Sequence, residues 1–261
     1  MNLIGRKLLS ALGVFALTAG LMAFGVATAS ASNDYTCVGG SVPGANYHSL
    51  TIAGMCSINS GSVNVQRNVV VQPGAGLDSE WVGSSLTVGR DLLIGAHAIV
   101  FLGCGGDQAC ENGSGTVDDI VFHNLVSNGA AAVVIHGGAI DGEVAINGGG
   151  NGFACAPLFE GGPPDFTTLE GVGVGGDVTV KDLRTCWAGM NNNLINGTVN
   201  WNDNKTGISD GNLIGPNFIG HNLNCFDNNP LPHLSDFAVK IKNTVGGLTR
   251  GQCVGLSQPV I

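Results

Sequence analysis

Three aspartates are spaced as if for chemistry. Counted from the second glycine position of a recurring Gly-Gly element, Asp182 lies six residues after Gly176, Asp203 six after Gly197 and Asp227 six after His221. If successive elements stack in register, their carboxylates fall about 4.8 Å apart, the distance between neighbouring strands. Like charges that close raise one another's pKa or recruit a cation such as calcium. A pair two steps apart would suit the acid and base of an inverting glycosidase. The competing reading is structural: Asp and Asn are turn residues, and Asn202, Asn204, Asn228 and Asn229 beside them fit a side-chain ladder that caps backbone. The structural reading carries more weight, so no catalytic residue is assigned. Asp182, Asp203 and Asp227 stand as candidate ligand-binding residues, and as a catalytic set only in an alternative enzyme reading.

Trp187, in a loop beside Cys186, joins them as a candidate flat face for a sugar ring, whereas Trp201 falls at an inward position. Phe159, Glu160 and Asp165 are candidate rim contacts. His123, His136 and His221 match no metal-ligand spacing and read as solvated or turn histidines. No metal site is expected, and no cofactor beyond the calcium that a carboxylate column would attract. The chain carries no nucleophile elbow, phosphate loop, His-Glu-x-x-His motif or calcium-binding nonapeptide repeat.

The elements that would position these residues are short. From Leu50 onward, triplets of alternating pattern recur every six or seven residues, as in Leu50-Thr51-Ile52, Val63-Asn64-Val65, Val69-Val70-Val71 and Leu92-Leu93-Ile94, separated by Gly, Asn, Ser and Asp. Strands this short suit the side of a coil in a β-solenoid rather than a sandwich. A slower period agrees. The Gly-Gly element begins at Val88, Val121, Ile140, Val174, Ile195, Ile219 and Val245, at intervals of 33, 19, 34, 21, 24 and 26 residues. The shortest interval equals three sides of about six residues, a minimal triangular coil, and the longer ones contain insertions. Inward positions should then stack Leu92, Leu125, Val144, Val178, Val199, Leu223 and Leu248 into one buried column. The expected fold is all-β, a single-domain parallel β-helix (β-solenoid), right-handed, with disulfide-pinned loops on one side. Those loops are read at residues 147–171, 181–193, 202–217 and 226–243. The outward residues Ala145, Thr179, Asn200, Asn224 and Thr249 read as a solvated polar strip.

The phrases Val174-Gly-Gly-Asp-Val-Thr-Val180, His221-Asn-Leu-Asn-Cys-Phe-Asp-Asn-Asn-Pro230 and Asn243-Thr-Val-Gly-Gly-Leu-Thr-Arg-Gly-Gln-Cys253 resemble a group of uncharacterised secreted actinobacterial proteins. Those carry repeated Thr-Val-Gly-Gly-Asn-Val elements. The resemblance implies a parallel β-helix and an envelope or extracellular setting, and it brings no established activity. Phe122, Asp141, Asn196 and His221 here replace glycines of the pattern. Lys181 and Arg184 resemble the basic residue of parallel β-helix polysaccharide lyases, a likeness of fold alone.

Composition narrows the setting. Arg6 and Lys7, the apolar stretch Leu8 to Val26 and the small-residue site Ala29-Ser30-Ala31 read as a cleaved signal peptide over residues 1–31, leaving residues 32–261 as the solenoid domain. All eight cysteines follow that site, so disulfides are expected rather than zinc, between sequence neighbours: Cys37 with Cys56, Cys104 with Cys110, Cys155 with Cys186 and Cys225 with Cys253. With 11% charged residues and a net charge of -9, the chain lacks the basic surplus that nucleic acid requires. The expected protein is secreted or on the cell surface, with no membrane partner after cleavage, and is a structural, adhesive or weakly glycan-binding solenoid. Its expected partner is a cell-wall or environmental glycan. The alternative is an extracellular polysaccharide lyase or glycosidase.

Overall fold

A computed structural model describes residues 33–105, 110–155, 166–234 and 241–259. The expected signal peptide lies outside them, as do Phe159, Glu160 and Asp165. From Tyr35 the chain winds through up to three short strands per coil, one from each of three sheets. The first and third sheets have ten strands and the second has eight, and every pairing within them is parallel. The fold is an all-β parallel solenoid, without a helix among the described residues.

Register explains why so short a strand suffices. In the first sheet Leu50, Val69, Leu92, Leu125, Val144, Val178, Val199 and Leu223 pair directly, each at most 1% exposed. In the third, the leading residues of the Gly-Gly elements stack in the same way, from Val88 through Val121, Ile140, Val174, Ile195 and Ile219 to Val245. Each such side chain contributes about 1.5–3 kcal/mol on burial. A strand of two or three residues is therefore held by its column rather than by its length.

Leu248 departs from the expected column. Leu223 pairs with Thr249, and Leu248 is 59% exposed. It occupies the corner position that Asn222 holds one coil earlier, where Asn222 Oδ1 accepts the Leu248 N–H at 2.9 Å. The outward row accordingly continues from Asn224 to Arg250, not Thr249. That corner is polar in most coils: Asn124 and Asp177 likewise accept an N–H from the coil that follows.

The expected insertions contain strands of the second sheet. Phe166–Glu170, Trp187–Asn191 and Asn212–Ile214 lie within the ranges read as loops, so the segments leaving the first sheet are shorter. A further insertion, residues 103–119, leaves a different corner, after the second-sheet strand Ile99–Leu102. The loops thus do not all lie on one side. The disulfides join Cys37–Cys56, Cys104–Cys110, Cys155–Cys186 and Cys225–Cys253, the neighbour pairs expected from the sequence. Cys104–Cys110 lies within the 103–119 insertion, whose two sides meet at the Cys104–Val117 backbone bridge, and Cys155–Cys186 ties two corner segments. Cys225 lies on a first-sheet strand facing the core, beside the segment that leaves that sheet.

Candidate functional site

Asp182, Asp203 and Asp227 do recur once per coil. Asp182 N–H donates to Asn202 O at 3.1 Å, and Asp203 N–H to Phe226 O at 2.9 Å, each acceptor being the residue before the next aspartate. All three are exposed and adopt a left-handed backbone, with φ of 60°, 55° and 56°. Asp tolerates that region better than most residues, which accounts for its use at this turn. The turn drives the following residue inward. Asn204 and Asn228 are buried and form a ladder: Leu183 N–H donates to Asn204 Oδ1, Asn204 N–H to Asn228 Oδ1, and Asn228 N–H to Gln252 Oε1. Among the described residues no group of three or more His, Cys, Asp or Glu is arranged to hold a metal ion.

Trp187 is not in a loop. It begins the second-sheet strand Trp187–Asn191, pairs with Phe166, and lies half-buried over Gly189, where a Cβ would meet the indole at 2.5 Å. Trp201 is fully buried and donates its Nε1–H to Asn212 Oδ1. Arg184 donates from Nη1 to the carbonyls of Leu183 and Asp203, both at 2.8 Å, tying one corner to the next.

A second constellation was not legible as a site. One residue past the Ser79–Leu102–Ile135–Leu169–Met190 register, the end of the second sheet stacks Glu80, Gly103, His136, Glu170 and Asn191 on its outer face. His136, expected to be solvated, is 6% exposed, and Glu80 is 3% exposed. The imidazole stands between two carboxylates, Nδ1 at 3.7 Å from Glu80 Oε1 and Nε2 at 3.8 Å from Glu170 Oε2. Gly103 makes the reach from Glu80 to His136 across an intervening coil feasible: it has φ of 67°, and a Cβ there would lie 2.6 Å from His136 O.

The described part of the 103–119 insertion lies against this column at Glu80. Its Glu111 N–H donates to Glu80 O, and Cys104, Cys110, Val117 and Val82 form a small apolar cluster beside it. Burial is the main reason the Glu80 carboxyl is pushed above the usual range, against the lowering effect of His136. Asp119, at the base of the insertion, accepts the Leu86 and Gly103 N–H groups at 2.7 and 3.1 Å, yet burial still pushes it up to about 6. A cavity of about 250 Å³ opens against the column, lined by Thr116, Asp118, His136, Glu170 and Asn192 beside the Cys104 end of the disulfide. His123 and His221, by contrast, are exposed, His123 pairing with Asp91 at 2.6 Å.

Comparison with protein-family models, curated proteins and solved structures finds no match to this chain. The likeness to secreted actinobacterial proteins therefore rests on the sequence phrases that carry it.

Proposed function

We propose that this chain is an exported β-solenoid, cleaved after residue 31, that acts outside the cell or on its surface as a contact module holding glycans weakly. The observation that carries this reading is the outward face of the first sheet in its last coils. Thr179, Asn200, Asn224 and Arg250 follow one another in register, flanked by Lys181, Asn202 and Phe226. Asn224 Nδ2 donates to Asn200 Oδ1 at 3.0 Å, so the row is ordered, and Phe226 stays 44% exposed beside it. A flat, hydrogen-bonding strip repeating about every 4.8 Å suits an extended hydroxyl-bearing polymer. The exposed Asp182, Asp203 and Asp227 border the strip, where they would add polar contacts or attract calcium. Trp187 lies around the corner on the second sheet as a secondary contact.

The test is retention on insoluble cell-wall and environmental polysaccharides, with calcium and with chelator. The variants are Asn200→Ala/Asn224→Ala and the triple Asp182→Asn/Asp203→Asn/Asp227→Asn. Retention of the unaltered protein that drops in the double variant supports the reading. Absence of retention on every polymer, or retention indifferent to the double variant, overturns it. N-terminal sequencing of protein recovered from culture medium checks export, with Ser32 as the expected first residue.

A further inference from the structure

All the Lys and Arg between residues 32 and 180 fall in one place. They are Arg67 and Arg90, while Asp and Glu recur throughout the same stretch. The fold sets the two arginines on consecutive coils, at the corner between the third and first sheets. Val65 pairs with Val88 before that corner and Val69 with Leu92 after it, so Arg67 and Arg90 are the middle residues of matching three-residue turns. Arg90 N–H donates to Arg67 O at 3.1 Å, and Arg67 N–H to His48 O at 2.9 Å. In the next coil His123 holds the same position, between Val121 and Leu125. The row His48, Arg67, Arg90, His123 therefore advances by one strand spacing per coil and covers about 14 Å.

Neither guanidinium is compensated. Among the described residues neither arginine side chain has an ion pair or a hydrogen bond. The carboxylate adjoining them in sequence, Asp91, is already engaged: its Oδ1 accepts the Asn124 N–H at 3.1 Å and lies 2.6 Å from His123 Nδ1. The outward side chains on the adjoining strands are neutral, Asn64 and Thr87 on the third sheet and Val70 and Leu93 on the first. Two like charges rooted one coil apart repel each other, yet the fold leaves both bare in an otherwise acidic stretch. Such a row attracts anions.

The row is also bounded. In the coil after His123 the corner residue is Gly142, whose N–H donates to His123 O at 2.8 Å, and it is flanked by exposed Asp141 and Glu143. Negative charge on a partner is thus favoured from His48 to His123 and opposed beyond. Arg67, Arg90 and His123 are exposed, and a single small anion gains little from exposed charges. Anions joined in a chain gain by holding several positions at once.

We propose that this row binds the oxyanion groups of an acidic glycan, carboxylate or phosphodiester, with Arg67 and Arg90 as the charged contacts and His48 and His123 as flanking hydrogen-bonding groups. The glycan as carrier rests on the reading above; the oxyanion contact does not.

The experiment is calorimetric titration of the mature, oxidised protein in calcium-free buffer with hexagalacturonate, a phosphomannan oligosaccharide, neutral mannohexaose and inorganic phosphate. At least one acidic oligosaccharide should bind, with the neutral one about tenfold weaker or worse, and about 0.5 M salt should remove most of the binding. Whichever acidic oligosaccharide binds identifies the oxyanion. Arg67→Gln/Arg90→Gln should weaken it about five- to tenfold, since exposed charge pairs are individually weak. The matched loss of charge in Lys205→Gln/Lys242→Gln, on distant coils, should leave affinity within about twofold. Circular dichroism verifies folding of both variants. No binding of either acidic oligosaccharide, equal binding of the neutral one, or unchanged affinity in the folded arginine variant overturns the row as a site. Inorganic phosphate binding as tightly as the oligosaccharides overturns the polymer. Tighter binding to vesicles of anionic phospholipid, or self-association that the arginine variant abolishes, overturns the glycan as occupant. Polymer retention that Asn200→Ala/Asn224→Ala abolishes, without oxyanion binding, refutes this row alone. Oxyanion binding without such retention refutes the first-sheet reading alone.

Discussion

Replacing Asn217 by Ala tests whether the interior of this solenoid is held by amide ladders as well as by apolar columns. Asn217 is 5% exposed at the corner between the second and third sheets. Its Oδ1 accepts from Asn193 N at 3.1 Å and Asn193 Nδ2 at 2.8 Å, while its Nδ2 donates to Met190 O at 3.2 Å and Asn243 Oδ1 at 2.8 Å. Four hydrogen bonds at about 1 kcal/mol each give about 4 kcal/mol, and partners left buried and unpaired raise the cost toward about 6 kcal/mol. Guanidinium unfolding of the oxidised protein, followed by circular dichroism and tryptophan fluorescence, measures the loss. Hydrogen exchange at Phe218, whose N–H bonds Asn193 O, shows whether the last coils open first. Exposed Asn196→Ala serves as control and should stay within about 0.5 kcal/mol. A loss below about 1 kcal/mol for Asn217→Ala, or one equal to the control, would refute the ladder as a source of stability.

Asp119 makes stability depend on pH. Because its carboxyl is raised from 3.8 to about 6 in the folded chain, the folded state binds that proton more tightly than the unfolded one. Its contribution is full below pH 4, is lost as pH rises toward 6, and amounts to about 3 kcal/mol in all; Glu80 shifts in the same direction. Unfolding midpoints measured from pH 4 to 7 should fall through that window, and Asp119→Asn should flatten the fall. Cys155→Ser/Cys186→Ser opens a 31-residue closure and should cost about 3–4 kcal/mol by thermal or chemical unfolding, against about 2 kcal/mol for the six-residue Cys104–Cys110 pair. Gly149→Ala should prevent soluble folding or cost at least about 3 kcal/mol, since φ is 98° and the new Cβ would sit 2.1 Å from Ala130 O. Gly148→Ala, with φ of 63° and open space, should cost only about 1–2 kcal/mol in the same assay.

The periodic parts of this protein were legible because stacking translates sequence spacing directly into contact. An apolar residue leading each Gly-Gly element, from Val88 to Val245, had to fall in one column once coils were assumed. The neighbour disulfides follow from the same closeness of successive coils. Leu248 misled because a Leu in a polar corner position looks, in sequence, like the inward residue that should come next. Trp187 and the overlong loops misled for a related reason: second-sheet strands such as Trp187-Ala188-Gly189-Met190-Asn191 carry Gly and Asn and lack a clean apolar alternation.

What the sequence by itself determined is the solenoid, its paired cysteines and its regular rows, all of which are local or repeat at one-coil spacing. The tertiary structure alone decided where Glu80, His136, Glu170 and Asp118 meet. Those residues belong to three coils and one insertion, and the 103–119 segment interrupts the count between them. No spacing rule can carry a register across an insertion of arbitrary length. The gap left by Gly103, and the contact of the insertion at Glu80, exist only once the coils are stacked.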